Sequence, residues 1–164
     1  MTPPVAAVAA TETRAPRVAP GSRAVGSIRL ILLATDLSQA SDGASTRALD
    51  LAHDLGADVL VMSAIDPRSA LNEGIARRVD RIRLARELAA QGLVARGREL
   101  GVTVSFLIWD GPAGEAIVEV AQNEQVDLVV VGSHGRGAVG RFLVGSVSEH
   151  VVRHAPCPVL VVRG

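Results

Sequence analysis

Five short stretches of this chain are apolar at nearly every position: IRLILLA at 28–34, DVLVMSAI at 58–65, VTVSFLI at 102–108, DLVVV at 127–131 and PVLVV at 158–162. A strand with water on one face alternates apolar and polar side chains, so continuous apolar runs mark strands covered on both faces, as in a parallel sheet between helices. The intervening segments supply the cover. Ala44, Ala48, Leu51, Ala52 and Leu55 recur at helical spacing before Gly56, a stop signal. Ile75, Val79, Ile82, Ala89, Leu93 and Leu100 trace a second stripe that ends at Gly101. A third helix has Pro112 near its first turn and Ala113, Ile117, Val120 and Ala121 inward, and a fourth runs from about Ser146 to His154. Five strands alternating with four helices predict an α/β fold, an open doubly wound five-stranded parallel sheet with helices on both faces and right-handed crossovers. In such sheets ligands bind beyond the carboxyl ends of the strands, where the strand order reverses.

Residues 1–26, rich in Ala, Pro, Thr and Arg, carry neither period and read as a disordered N-terminal tail, leaving 27–164 as one folded domain. Only 2% of residues are aromatic, so aliphatic side chains must build the core. Basic and acidic residues balance at 17 each, which argues against a nucleic-acid or anionic-membrane partner. The opening segment lacks the basic start and apolar run of an export signal, and no run approaches the roughly 18 apolar residues needed to span a bilayer. A lone cysteine, Cys157, cannot form an intramolecular disulfide, and a cytoplasmic location is expected.

The glycine-rich segment GSHGRGAVGRFLVGS, from Gly132 to Ser146, lies between the fourth strand and the fourth helix. Strand, glycine loop and helix start together suit a phosphate, because glycine lets main-chain N–H groups approach an anion closely. GRGAVG at 135–140 matches the dinucleotide pattern, but Glu149 is the last acidic residue of the chain, so the acidic partner such a site needs about 20 positions on is missing. A Walker loop fails too, since no lysine precedes Ser146.

Gly132-x-x-Gly135, nine residues, then Gly145-Ser146 resembles the G-x-x-G-(nine)-G-[ST] signature of the universal stress protein family. ATDLS, with Asp36 and Ser38, and HAPCPVLVV at 154–162 are similar to the first turn and last segment of that family. The resemblance covers about residues 27–164 and implies an adenine nucleotide alpha-hydrolase-like, Rossmann-like fold holding ATP, with or without Mg2+, between the first and fourth strands. It implies that Asp36 bonds the ribose, that Ala34 lines the pocket and that the main chain of Ala64 meets the adenine edge. Val131 and Gly132 would approach the nucleoside, with Gly135, Gly145, Ser146 and Val147 around the phosphates. Ala34 and Ala64 stand where family members often carry proline and valine, which removes no hydrogen-bonding group. The resemblance further implies a homodimer through the last strand, Pro158 to Val162.

Each residue also has a plainer reading. Ser146-x-x-Glu149 is a capping box, and Asp36 could cap a helix beginning near Ser38. Arg77, Arg78, Arg81, Arg83 and Arg86 read as a solvated helix surface or, more sharply, as a patch for an acidic partner. Arg136 and Arg141 could reach phosphate or simply be solvated, and the histidines show no metal-ligand spacing. With no general base or nucleophile beside the loop, the expectation is a nucleotide-dependent stress-response regulator, not an enzyme beyond slow ATP hydrolysis. The alternatives are a cyclic AMP-binding signalling protein, AMP being a further candidate ligand, and an interaction module with a vestigial pocket.

Overall fold

The computed structural model describes residues 7–9, 27–66, 75–133 and 145–163, with the backbone alone at 7–9, 75 and 76. In chain order the elements are β1 (Ala7–Ala9), β2 (Leu30–Ala34), a 3-10 turn (Gln39–Ser41), α1 (Asp42–Leu55), β3 (Asp58–Ile65), α2 (Ile75–Glu99), β4 (Val104–Asp110), α3 (Ala113–Asn123), β5 (Leu128–Gly132), α4 (Ser146–His154) and β6 (Val159–Val162). The sheet order is β1-β4-β3-β2-β5-β6. The five expected strands are β2 to β6, and every pairing among them is parallel.

β1 comes from the segment expected to be a disordered tail, and it pairs antiparallel to β4 through Ala7↔Ile108, Val8↔Leu107 and Ala9↔Phe106. Among the described residues the sheet therefore has six strands, one more than expected. Without β1, β4 would present an edge of unpaired main-chain groups, which a few residues of extended backbone can cover. Three residues are too few to register as a periodic pattern.

The continuous apolar runs place side chains on both faces. Ile31, Leu33, Val59, Val61, Phe106, Ile108 and Val130 pack on one side with Ala44, Ala48, Leu49 and Ala52 of α1 and with Ala90 and Leu93 of α2. Leu32, Ala34, Met62, Leu107, Val129 and Val131 pack on the other with Ala116, Ile117, Val120 and Ala121 of α3 and Val151 of α4. α1 ends as read, at Gly56 with φ 64, a conformation that costs glycine nothing. Leu55 and Leu100, expected inward, are exposed: Leu55 is the last residue of α1, and Leu100 follows the end of α2. At the amino edge of the sheet the Asp127 carboxylate accepts the N–H groups of Arg29 and Leu30 at 2.9 and 3.0 Å. That contact fixes β5 beside β2 and leaves the opposite edge for ligands.

Candidate nucleotide site at the strand-order switch

From β2 the chain builds β3 and β4 to one side, then returns to add β5 and β6 on the other. The strand order therefore reverses between β2 and β5, whose carboxyl ends lie side by side with Ala34 opposite Val131. Crossover connections leave a crevice at such a point.

After Ala34 the Thr35 N–H reaches the Met62 carbonyl at 3.0 Å, and β2 ends. The Thr35 hydroxyl accepts the Leu37 N–H at 2.9 Å and donates to Ser41 Oγ at 2.8 Å. Asp36 Oδ1 accepts both the N–H and the hydroxyl of Ser38, at 3.0 and 2.6 Å. Together these hold Leu37 at φ 56, a left-handed conformation that costs a leucine about 1–2 kcal/mol. Asp36 is not a helix cap: Ser38 is the N-cap of the 3-10 turn and Ser41 that of α1, while one carboxylate oxygen of Asp36 closes a turn onto Ser38. The turn also holds Asp36 at the mouth of the crevice, half-buried.

Across the crevice, β5 ends at Gly132, and the buried Ser133 follows. The Ser133 carbonyl accepts the Gly145 N–H at 2.8 Å, so the start of α4 is tied directly to the end of β5. Gly145, Ser146 and Val147 thereby join Ala34, Val131 and Gly132 at one edge of the sheet. Gly135, with His134, Arg136 and Arg141, falls within 134–144 and lies outside the described residues.

The capping box is not formed as read. Gly145 is the N-cap of α4, without a side-chain cap bond, and Ser146 is the exposed first helical residue. The bonds go elsewhere: the Ser148 hydroxyl donates to the Gly145 carbonyl at 2.9 Å, and the Glu149 carboxylate accepts from Arg153 at 2.8 Å one turn on. Val147 is also exposed, an apolar side chain beside the crevice.

Ala64 lies near the end of β3, opposite Trp109 of β4. Its carbonyl accepts a bond from Arg86 Nη1, which also lies 3.1 Å from the buried Ser63 hydroxyl. One turn earlier Arg83 pairs with Asp110 at the end of β4. These two arginines are not the solvated surface expected of the whole series, whereas Arg77, Arg78 and Arg81 are exposed. The signal was present in the spacing. Residues 83, 86, 90, 93 and 97 form one helical stripe, and its last three members, Ala90, Leu93 and Gly97, are buried.

The family model described as "Universal stress protein family" matches residues 27–163. The chain belongs to the universal stress protein family. A universal stress protein of Thermus aquaticus is 38% identical over 143 residues, covering 82% of this chain and 98% of the relative. Universal stress protein UspA from Lactobacillus plantarum superposes with a TM-score of 0.69 at 25% identity, over 83% of this chain and 98% of that one. A universal stress protein solved in complex with cAMP gives a TM-score of 0.66 at 25% identity, over 83% and 97%. Family membership agrees with the parallel order of β2 to β6 and with Gly132 and Gly145 at the switch. Among the described residues of this family member, no group of three or more His, Cys, Asp or Glu is placed to hold a metal ion, and no helix is long and apolar enough to cross a membrane.

Proposed function

We propose that this universal stress protein binds ATP at the carboxyl ends of β2 and β5 and acts as a nucleotide-dependent regulator, with at most slow hydrolysis. The observation that carries the reading is the bond from Gly145 to Ser133, which sets the amino terminus of α4 at the strand-order switch. The first-turn N–H groups of a helix have no partner within it, and the helix dipole adds partial positive charge, so phosphate is favoured there. Ala34, Val131 and Gly132 line the nucleoside, Asp36 receives a ribose hydroxyl, and Gly135, Gly145, Ser146 and Val147 surround the phosphates. The main chain of Ala64 meets the base edge. Mg2+ comes with the polyphosphate in this reading, because Mg2+ needs few protein carboxylates when phosphate oxygens complete its shell. Acting in the cytoplasm, the protein would pair through β6, a terminal strand whose four residues are all half-buried.

The relative solved with cAMP favours a second reading, in which the physiological ligand is the cyclic monophosphate. Isothermal titration with ATP, AMP and cAMP separates the two. The proposal expects ATP to bind more tightly than cAMP; a preference for cAMP turns the protein into a cyclic-nucleotide receptor. Failure of all three to bind leaves an interaction module with a vestigial pocket.

A further inference from the structure

The face of α2 turned away from the sheet is not built like an ordinary solvated helix surface. Leu84 and Leu88 are 58% and 60% exposed, one turn apart and opposite the buried stripe of Ala90, Leu93 and Gly97. The exposed residues from 84 to 95 are Leu84, Ala85, Leu88, Gln91, Gly92 and Ala95, and none is charged. A helix face that meets only water is normally polar and charged.

Gly92 has no cause inside the chain. A Cβ on Gly97 would collide with Val104, whereas a Cβ on Gly92 would meet nothing within 4 Å, and the residue lies mid-helix. Alanine would serve the fold better there, because glycine in a helix interior is the less stable choice. What Gly92 provides is a hollow one turn beyond Leu88, where a second helix can approach at the short end of the roughly 8–10 Å separations of packed helices.

Both ends of this uncharged stretch are basic. On its amino side the exposed charged residues are Arg77, Arg78 and Arg81 against Asp80, net +2, and on its carboxyl side Arg96 and Arg98 against Glu99, net +1. A second copy laid along the face, in either direction, sets positive ends against positive ends. The segments of this chain outside the described residues carry no net negative charge either. The complementary occupant is a helix of another protein, with an apolar stripe between acidic ends.

We propose that the outward face of α2 is a docking surface for such an acidic amphipathic helix. Leu84 and Leu88 are its apolar anchors, Gly92 is the point of closest approach, and the flanking arginines set register and speed encounter.

The probe is a fluorescently labelled, end-capped synthetic helix with leucines at i, i+4 and i+7 and two glutamates at each end. Its control carries lysine in place of every glutamate. Anisotropy measures binding to the full chain, to Leu84→Gln/Leu88→Gln and to Gly92→Gln, each checked by thermal melting. The substituted positions are exposed, so both variants should fold, with Gly92→Gln melting at or above the native temperature. Saturable, salt-sensitive binding of the glutamate peptide is expected, weakened at least about tenfold by either variant and in the lysine peptide. A glutamate peptide that does not bind at high micromolar protein overturns the proposal, as does binding that the variants leave unchanged or that the lysine peptide matches. Sedimentation supplies the last arm: self-association of the native chain that Leu84→Gln/Leu88→Gln abolishes would put a second copy on this face and overturn the acidic partner.

Discussion

Gly145→Asp separates binding from folding, because its two effects have opposite signs. Gly145 is the N-cap of α4 at φ −59 and ψ 155, a backbone conformation open to any residue, and it makes no side-chain cap bond. Aspartate is among the best N-cap residues and exceeds glycine by a few tenths of a kcal/mol, so the fold should hold or tighten slightly. The same carboxylate would lie over the first-turn N–H groups proposed to receive phosphate. Repulsion between two unit charges at about 4 Å is about 1 kcal/mol in bulk water and about 4 kcal/mol near a protein surface. That range corresponds to a loss of ATP affinity between about fivefold and about a thousandfold. Isothermal titration at fixed ionic strength reads the affinity, and a thermal melt without nucleotide reads the fold. The account expects an unchanged or higher melting temperature with weakened binding. Equal ATP affinity in both proteins would refute the helix-start reasoning, wherever else the nucleotide bound.

Further predictions concern packing and chemistry away from the crevice. A Cβ on Gly97 would lie 2.2 Å from Val104 Cγ2 and 3.1 Å from the Val102 carbonyl, so Gly97→Ala should overpack the α2–β4 contact, cost about 1–3 kcal/mol and lower the melting temperature. Gln125, just past α3, has φ 51. Gln125→Gly should relieve about 1–2 kcal/mol of left-handed strain against about 0.5–1 kcal/mol of glycine entropy, a net gain readable by urea titration. Burial, aided by the charge of Asp127, raises the Cys157 thiol above its ordinary value. Alkylation by iodoacetamide at neutral pH should therefore be slower than for free cysteine, and the group's contribution to stability should be lost as alkaline pH rises from the unfolded thiol value through the raised folded one. If β6 pairs between copies, analytical ultracentrifugation at micromolar concentration should show a dimer, and a monomer would remove that proposal.

Continuous apolarity over 58–65 predicted β3 with both ends correct, and the stop at Gly56 and the span Ser146–His154 were equally legible, because each is written in local periodicity and capping. The strand order was not read from periodicity; the family resemblance alone implied a nucleotide between the first and fourth strands, β2 and β5, where the order reverses. Contacts between distant segments were less visible. Arg86 meets Ala64 across 22 positions, and only the continuation of the Ala90, Leu93 and Gly97 stripe toward the amino end of α2 betrays it. Ser146 was misread because the capping motif is a pattern of residue types, while the bond from Gly145 to Ser133 sets where the helix begins. β1 was missed because three residues are too few to show a period, and what defines it is its pairing with the distant β4.

The most direct test of the central claim is an amide chemical-shift titration of the 15N-labelled full chain with ATP. The account predicts saturable shifts clustered at Thr35 and Asp36, at Ala64, at Gly132 and Ser133, and at Gly145 to Val147. Shifts confined to the outer face of α2 or to the amino edge of the sheet near Asp127, or no shifts at millimolar ATP, would contradict it.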